Sequence, residues 1–224
     1  MGGLETNKCC STTNNDKNVL DHVFDGWSIW LEPDFMSGEN QWFQTESEAL
    51  CVECGGIQSG LVPVPLHCTL LYNFAPLLHA NEKQLQQLLH RCIIKDDIIY
   101  NNDLVPTDFY FFHYPKSADD GKGFGCVIPL LLFECTSQLE HLYQTVQSHF
   151  PPHERSNHTK FQPHMALIYA PEVYHDYIQT KIKQYKINQK SLLQKPIRVK
   201  YLSIWDTRGT LSQWKCITKI PLYE

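Results

Sequence analysis

One hexapeptide pattern occurs twice, and it constrains the fold more than any other feature of the chain. Residues 67–72 read His67-Cys68-Thr69-Leu70-Leu71-Tyr72, and residues 164–169 read His164-Met165-Ala166-Leu167-Ile168-Tyr169. Each copy follows a proline (Pro65 or Pro163) and is soon followed by Ala-Pro. Apolar and aromatic residues bounded by turn formers read as strands. Strict alternation then places His67, Thr69 and Leu71 on one face, with Cys68, Leu70 and Tyr72 on the other. In the second copy His164, Ala166 and Ile168 share a face. One such strand in each half of the chain predicts two similar lobes, each presenting one imidazole. An imidazole beside a hydroxyl can hold a phosphoryl oxygen and move a proton in the same place. Two imidazoles can serve as base and acid in a displacement at phosphorus. A lone histidine on a core strand is more often a packing residue, and the repetition reverses that balance.

The motifs resemble those of the two-histidine (2H) phosphoesterases. His67-Cys68-Thr69-Leu70 matches the signature H-x-(T/S)-hydrophobic, and His164-Met165-Ala166-Leu167 matches it except at Ala166. The flanking segments Trp27-Ser28-Ile29-Trp30-Leu31-Glu32-Pro33 and Phe161-Gln162-Pro163-His164 are similar to the fungal and plant cyclic phosphodiesterase branch. The resemblance spans roughly residues 26–220. It implies an α+β, bilobal fold of two antiparallel-sheet lobes, with outer helices and a central cleft lined by both motif strands. It further implies hydrolysis of a nucleoside 2′,3′-cyclic phosphate to the 2′-phosphate, or of ADP-ribose 1″,2″-cyclic phosphate. The reaction would use His67 and His164 without metal or other cofactor, while Thr69 holds a non-bridging oxygen. Which histidine is base and which is acid stays open at this level. So does the choice between substrate contact and packing for Trp30, Tyr72, Tyr169 and Trp205; Trp30 is the candidate for stacking on a base. Ala166 removes one phosphate or water contact that the family pattern supplies. Two other readings fit the same motifs: a phosphodiesterase for 2′,5′-linked or other oligonucleotides, and a catalytically weak nucleotide-binding module tethered to a membrane.

The formal charge of −5 disfavours a long nucleic acid gripped through its phosphates and leaves a nucleotide-sized ligand acceptable. The expected partners are thus a small cyclic phosphate and a membrane surface, with the protein monomeric. The membrane enters through Met1-Gly2-Gly3-Leu4-Glu5-Thr6, which fits the pattern for N-myristoylation of Gly2, with Cys9 and Cys10 placed for palmitoylation. One acyl chain holds a protein to a bilayer only marginally, so two signals make a coherent anchor. Residues 1–20 read as a flexible tail and 21–224 as the two-lobed domain. Nine cysteines, no secretory leader and no membrane-length apolar run point to reduced thiols in the cytosol, at the cytosolic face of a membrane.

Helices are expected over residues 43–54, after Asn81 with Gln84 as its capping partner, from Ser137 with Glu140, and over 172–185. Further strands are expected over 107–114 and 124–134, joined by a polar loop, and over 196–206 and 211–220 as a closing hairpin. Cys51-Val52-Glu53-Cys54 lacks the second cysteine pair of a zinc site and the context of a redox dithiol, so it reads as two helix-end cysteines. His149, His153, His158 and His164 form a run without a metal-binding helix motif and read mostly as solvated loop residues.

Overall fold

The computed structural model describes residues 26–35, 38, 40–54, 65–74, 80–94, 103–114, 125–150, 161–188, 193 and 195–223. Gly2, Cys9, Cys10, His153, His158 and the loop expected at 115–123 lie outside them. Among the described residues, no helix is long and apolar enough to cross a membrane.

The strands are β1 (Trp27–Pro33), β2 (Cys68–Phe74), β3 (Asp103–Leu104), β4 (Pro106–Tyr114), β5 (Cys126–Phe133), β6 (His164–Ala166), β7 (Ala170–Pro171), β8 (Ile197–Asp206) and β9 (Lys215–Pro221). The helices are α1 (Gln41–Glu53), α2 (Glu82–Ile94), α3 (Ser137–His149) and α4 (His175–Asn188). Strand order is β3-β8-β1-β2-β6-β5-β4, with β9 beside β8 and β7 beside β5, and the pairings are antiparallel. The architecture is α+β and two-lobed. One lobe holds β1, β2, β8 and β9, the other β4 to β7, and they meet where β2 pairs with β6. The lobes do not follow the halves of the chain, because the closing hairpin β8–β9 returns to the first lobe.

One sheet face is apolar and covered. Ile29, Leu31, Cys68, Leu70, Met165, Val127, Leu131, Leu202 and Ile204 join one buried cluster with Leu50 of α1, Leu85 and Leu89 of α2, Leu142 and Val146 of α3, and Ile178 and Ile182 of α4. The alternate residues, including Trp30, His67, Thr69, His164 and Ala166, therefore lie on the face opposite the four α-helices.

Local chemistry sets the helix ends. At α2 the Asn81 and Gln84 side chains each accept the other's backbone N–H, at 3.0 and 2.8 Å, a reciprocal capping box. At α3 the cap is Thr136, one residue before the expected Ser137; its hydroxyl accepts from the Leu139 N–H. The 172–185 segment divides into a 3-10 turn, Glu172–Tyr174, and α4, so Val173 is exposed rather than packed. Cys51 and Cys54 are buried at the end of α1, and burial pushes the Cys54 thiol up to about 11, which makes both inert packing groups.

Strict alternation fails in both hexapeptides, for two reasons. In β2 the register against β1 slips once between Trp30↔Thr69 and Ile29↔Leu71, and again between Ser28↔Tyr72 and Trp27↔Phe74. The first extra residue turns Leu70 and Leu71 both into the core and brings Tyr72 to the face of Thr69. The second is Asn73, whose φ of 55° lies in the left-handed region that asparagine tolerates. In the second copy the strand stops at Ala166. The Leu167 N–H still donates to Pro129 O at 2.9 Å, but Pro129 has no N–H to return the bond. The Leu167 carbonyl is met instead by the Ser47 hydroxyl of α1, at 2.5 Å. Leu167 and Ile168 then turn into the core, so Ile168 does not share the face of His164.

Candidate active site

His164 opens β6, and His67 immediately precedes the neighbouring central strand β2. Cys68 and Met165 are Cα partners across β2 and β6. One step to either side in an antiparallel register brings His67 level with Ala166, and Thr69 level with His164. All four side chains point to the open face. Cα partners in register continue this row, with Trp30 and then Ser203 beyond Thr69 and Leu132 beyond His164.

Both imidazoles are held in the same way. His67 Nδ1 donates to the Pro65 carbonyl at 2.5 Å, and His164 Nδ1 donates to the Gln162 carbonyl at 2.8 Å. In each case the acceptor is two residues back, in the extended lead-in to the motif strand. A carbonyl can only accept, so the proton of a neutral ring sits on Nδ1 and Nε2 carries the lone pair. Phe161, stacked on Tyr143 of α3 at 4.3 Å, packs the lead-in that supplies the second carbonyl.

The surroundings of the two rings differ. His67 is only 7% exposed. Burial pushes its pKa down to about 3, the Pro65 carbonyl opposes that shift, and the nearby charge of His164 reinforces it. At neutral pH His67 is therefore uncharged, with an acceptor at Nε2. Its ring stacks on Trp30, with centroids 3.5 Å apart and planes within 10°. Trp205 of β8 stacks on Trp30 at 4.4 Å, and Trp214 approaches at 5.7 Å. Since β1 lies between β8 and β2, the indole of Trp30 is covered on both faces. Trp30 is thus not a platform for a nucleobase, as the sequence allowed; its partner is His67.

Thr69 is half-buried. Tyr72, 38% exposed, reaches the site face because of the bulge. Tyr169 packs between two small apolar clusters, one of Cys126, Ile128 and Leu130 and the other around Leu211, and so links the lobes across the open face. Ala166 packs against the first of these clusters, which leaves an apolar floor beside His67 on the β6 side. Sequence reasoning missed Ser28, Ser203 and the role of Glu32. Ser28 Oγ accepts from Trp30 Nε1 at 2.6 Å, and Glu32 Oε1 accepts from Trp205 Nε1 at 2.7 Å. For Ser28 and Glu32 the available signal was their alternation with Trp30 in β1, and for Ser203 of β8 there was none. Among the described residues no group of His, Cys, Asp and Glu is arranged to hold a metal ion. His149, from the histidine run, donates to Thr145 O in the last turn of α3.

No family model matches the chain, and no curated protein matches it in sequence. Solved structures resemble it. A conserved protein of unknown function from Agrobacterium tumefaciens aligns over 85% of this chain and 83% of its own, with TM-score 0.50 and 9% identity. Kluyveromyces marxianus Usb1 aligns over 92% of this chain and 100% of its own, with TM-score 0.46 and 13% identity. The same protein solved with uridine monophosphate aligns over 91% and 99%, with TM-score 0.47 and 14% identity. At 9% identity the likeness to the Agrobacterium protein concerns the fold alone.

Proposed function

We propose that this chain is a two-histidine phosphodiesterase acting on a nucleotide-sized cyclic phosphate, a nucleoside 2′,3′-cyclic phosphate or ADP-ribose 1″,2″-cyclic phosphate. The observation that carries the reading is the matched pair of Nδ1–carbonyl bonds, which turns Nε2 of both rings away from the bonded carbonyls where β2 and β6 meet. The motif resemblance supports the same chemistry. His67, uncharged and buried, is assigned as base, and His164, the more exposed ring, as acid. For a 2′,3′-cyclic substrate, water forms a new O–P bond in line with the departing O3′. Its proton passes to His67 Nε2, while His164 Nε2 protonates O3′ as the P–O3′ bond breaks. The product is the 2′-phosphate, and solvent returns the two rings to their starting protonation states. The Thr69 hydroxyl donates to a non-bridging oxygen as charge develops there. Both proton transfers come from the protein's own imidazoles, so the step requires no metal.

The test is turnover of a 2′,3′-cyclic nucleotide in excess EDTA by the wild type, His67→Ala and His164→Ala. Turnover that survives EDTA and is lost in both variants is the expected result; activity retained in both variants would remove the motif histidines from the reaction. A second reading, nucleotide binding without turnover, is favoured by the apolar surroundings of Ala166. Calorimetric binding of the cyclic nucleotide with no product formed would replace the first reading by the second.

A further inference from the structure

We propose that Glu32 and Trp205 are positioning residues for His67, acting through Trp30; the kinetic consequence rests on the two-histidine reading, whereas the geometry stands apart from it. One hydrogen bond to Pro65 O fixes a single atom of the imidazole and leaves its plane free to turn about that bond. The stack on Trp30, at 3.5 Å and 10°, supplies the missing constraint. Trp30 is itself held, since its Nε1 donates to Ser28 Oγ, which in turn donates to Leu71 O at 3.0 Å. Its other face rests on Trp205, with 21° between the planes. Trp205 is pinned by Glu32. Its Nε1 donates to Glu32 Oε1 at 2.7 Å and to Ser203 Oγ at 3.1 Å, and Ser203 Oγ donates to the same carboxylate oxygen at 2.5 Å. A column therefore runs from the Glu32 carboxylate to the Trp205 indole of β8, to the Trp30 indole of β1, to the His67 imidazole at the entry to β2.

Two donors, Trp205 Nε1 and Ser203 Oγ, converge on the one acceptor oxygen Glu32 Oε1, which suits a fixed end for such a column. Its output is the direction of His67 Nε2. Misplacing a reacting group by about 1 Å can cost on the order of 10²-fold in rate, so a device that fixes the ring plane bears directly on catalysis.

The ring protons of His67 lie over the Trp30 indole, so their NMR resonances fall upfield of those of an exposed histidine. They are identified by their loss in His67→Gln. In the full-length chain, Glu32→Ala and Trp205→Leu are expected to move them back towards the exposed position. Glu32→Gln, which keeps an acceptor oxygen, holds them in place. With a 2′,3′-cyclic nucleotide, kcat falls about tenfold in the first two variants, KM stays within about twofold, and Glu32→Gln recovers most of the rate. Unmoved resonances in Glu32→Ala, whatever its melting temperature, would reduce Glu32 to a structural residue and overturn the proposal. Should Trp205→Leu fail to fold, the Glu32 pair of variants decides alone. Resonances that respond in a protein without turnover would keep the column and discard the phosphodiesterase reading. Unmoved resonances with normal turnover would do the reverse.

Discussion

The two copies of the hexapeptide position their histidines alike and surround them differently. Both rings donate Nδ1 to a carbonyl two residues back. The first ring is buried, stacked on Trp30 and flanked by Thr69 on a seven-residue strand. The second is half-buried on a three-residue strand, beside Leu132 and two residues from Ala166. A repeat of this kind carries its own backbone geometry with it, because the carbonyl and the ring belong to one short segment. It does not carry its neighbours. Those come from β1 and β8 on one side and β5 on the other, whose sequences are unrelated. The same motif is therefore set in a polar, aromatic environment on one side and an apolar one on the other, and the two imidazoles can take opposite proton-transfer roles.

The largest expected effect tests whether both copies are needed. His67→Ala and His164→Ala are each expected to lower kcat by about 10²–10⁴-fold, the usual worth of a positioned acid or base. Single-turnover rates check this, and a variant that keeps near-wild-type kcat would assign the chemistry to the other copy alone. Next comes the hydroxyl that only the first copy retains. Thr69→Val preserves shape and should lower kcat by about 10²-fold if the hydroxyl supports the developing charge, as removal of one oxyanion donor does. An unchanged kcat with raised KM would make Thr69 a ground-state contact only.

The burial of the first ring also predicts a difference in acid stability. The folded pKa of His67 lies near 3, below its ordinary value of 6.5. Between those values the unfolded chain binds more protons at this site than the folded one. The associated stability is complete above the unfolded value and is lost as pH falls towards the folded one, on the order of a few kcal/mol at most. Urea unfolding at pH 7 and pH 4 should therefore show a smaller loss for His67→Gln than for the wild type. Equal losses would mean that the ring is protonated without cost. The smallest effect concerns the missing hydroxyl of the second copy. Ala166→Thr restores a donor level with His67 and should raise kcat by about tenfold, part of the worth of one such donor. A fall instead would show that the site is built around the apolar cluster of Cys126, Ile128 and Leu130.

Much of the framework was legible in advance because its causes are local. The Asn81–Gln84 cap, the start of α3 near Ser137, and the closing hairpin each follow from residues within about one turn or one strand of each other. The inert character of Cys51 and Cys54 followed from the absence of any partner pair. Departures from expectation arose where a distant segment intervened. Leu71, Tyr72 and Ile168 left their expected faces because of the slips in register against β1 and the missing N–H of Pro129 in β5. The choice between base stacking and packing for Trp30 was settled by Trp205, from the far end of the chain, which covers its second face.

From sequence alone came two histidine strands, a hydroxyl at one and not the other, and an α+β order of elements, since motif identity and periodicity need no knowledge of what packs where. Only the tertiary structure decided that the strands are neighbours, that Nε2 of both rings turns away from the bonded carbonyls, and that one imidazole closes a column begun by Glu32. Those outcomes depend on strand register between segments more than a hundred residues apart, as in the pairing of β1 with β8, and no local pattern of residues encodes a register by itself.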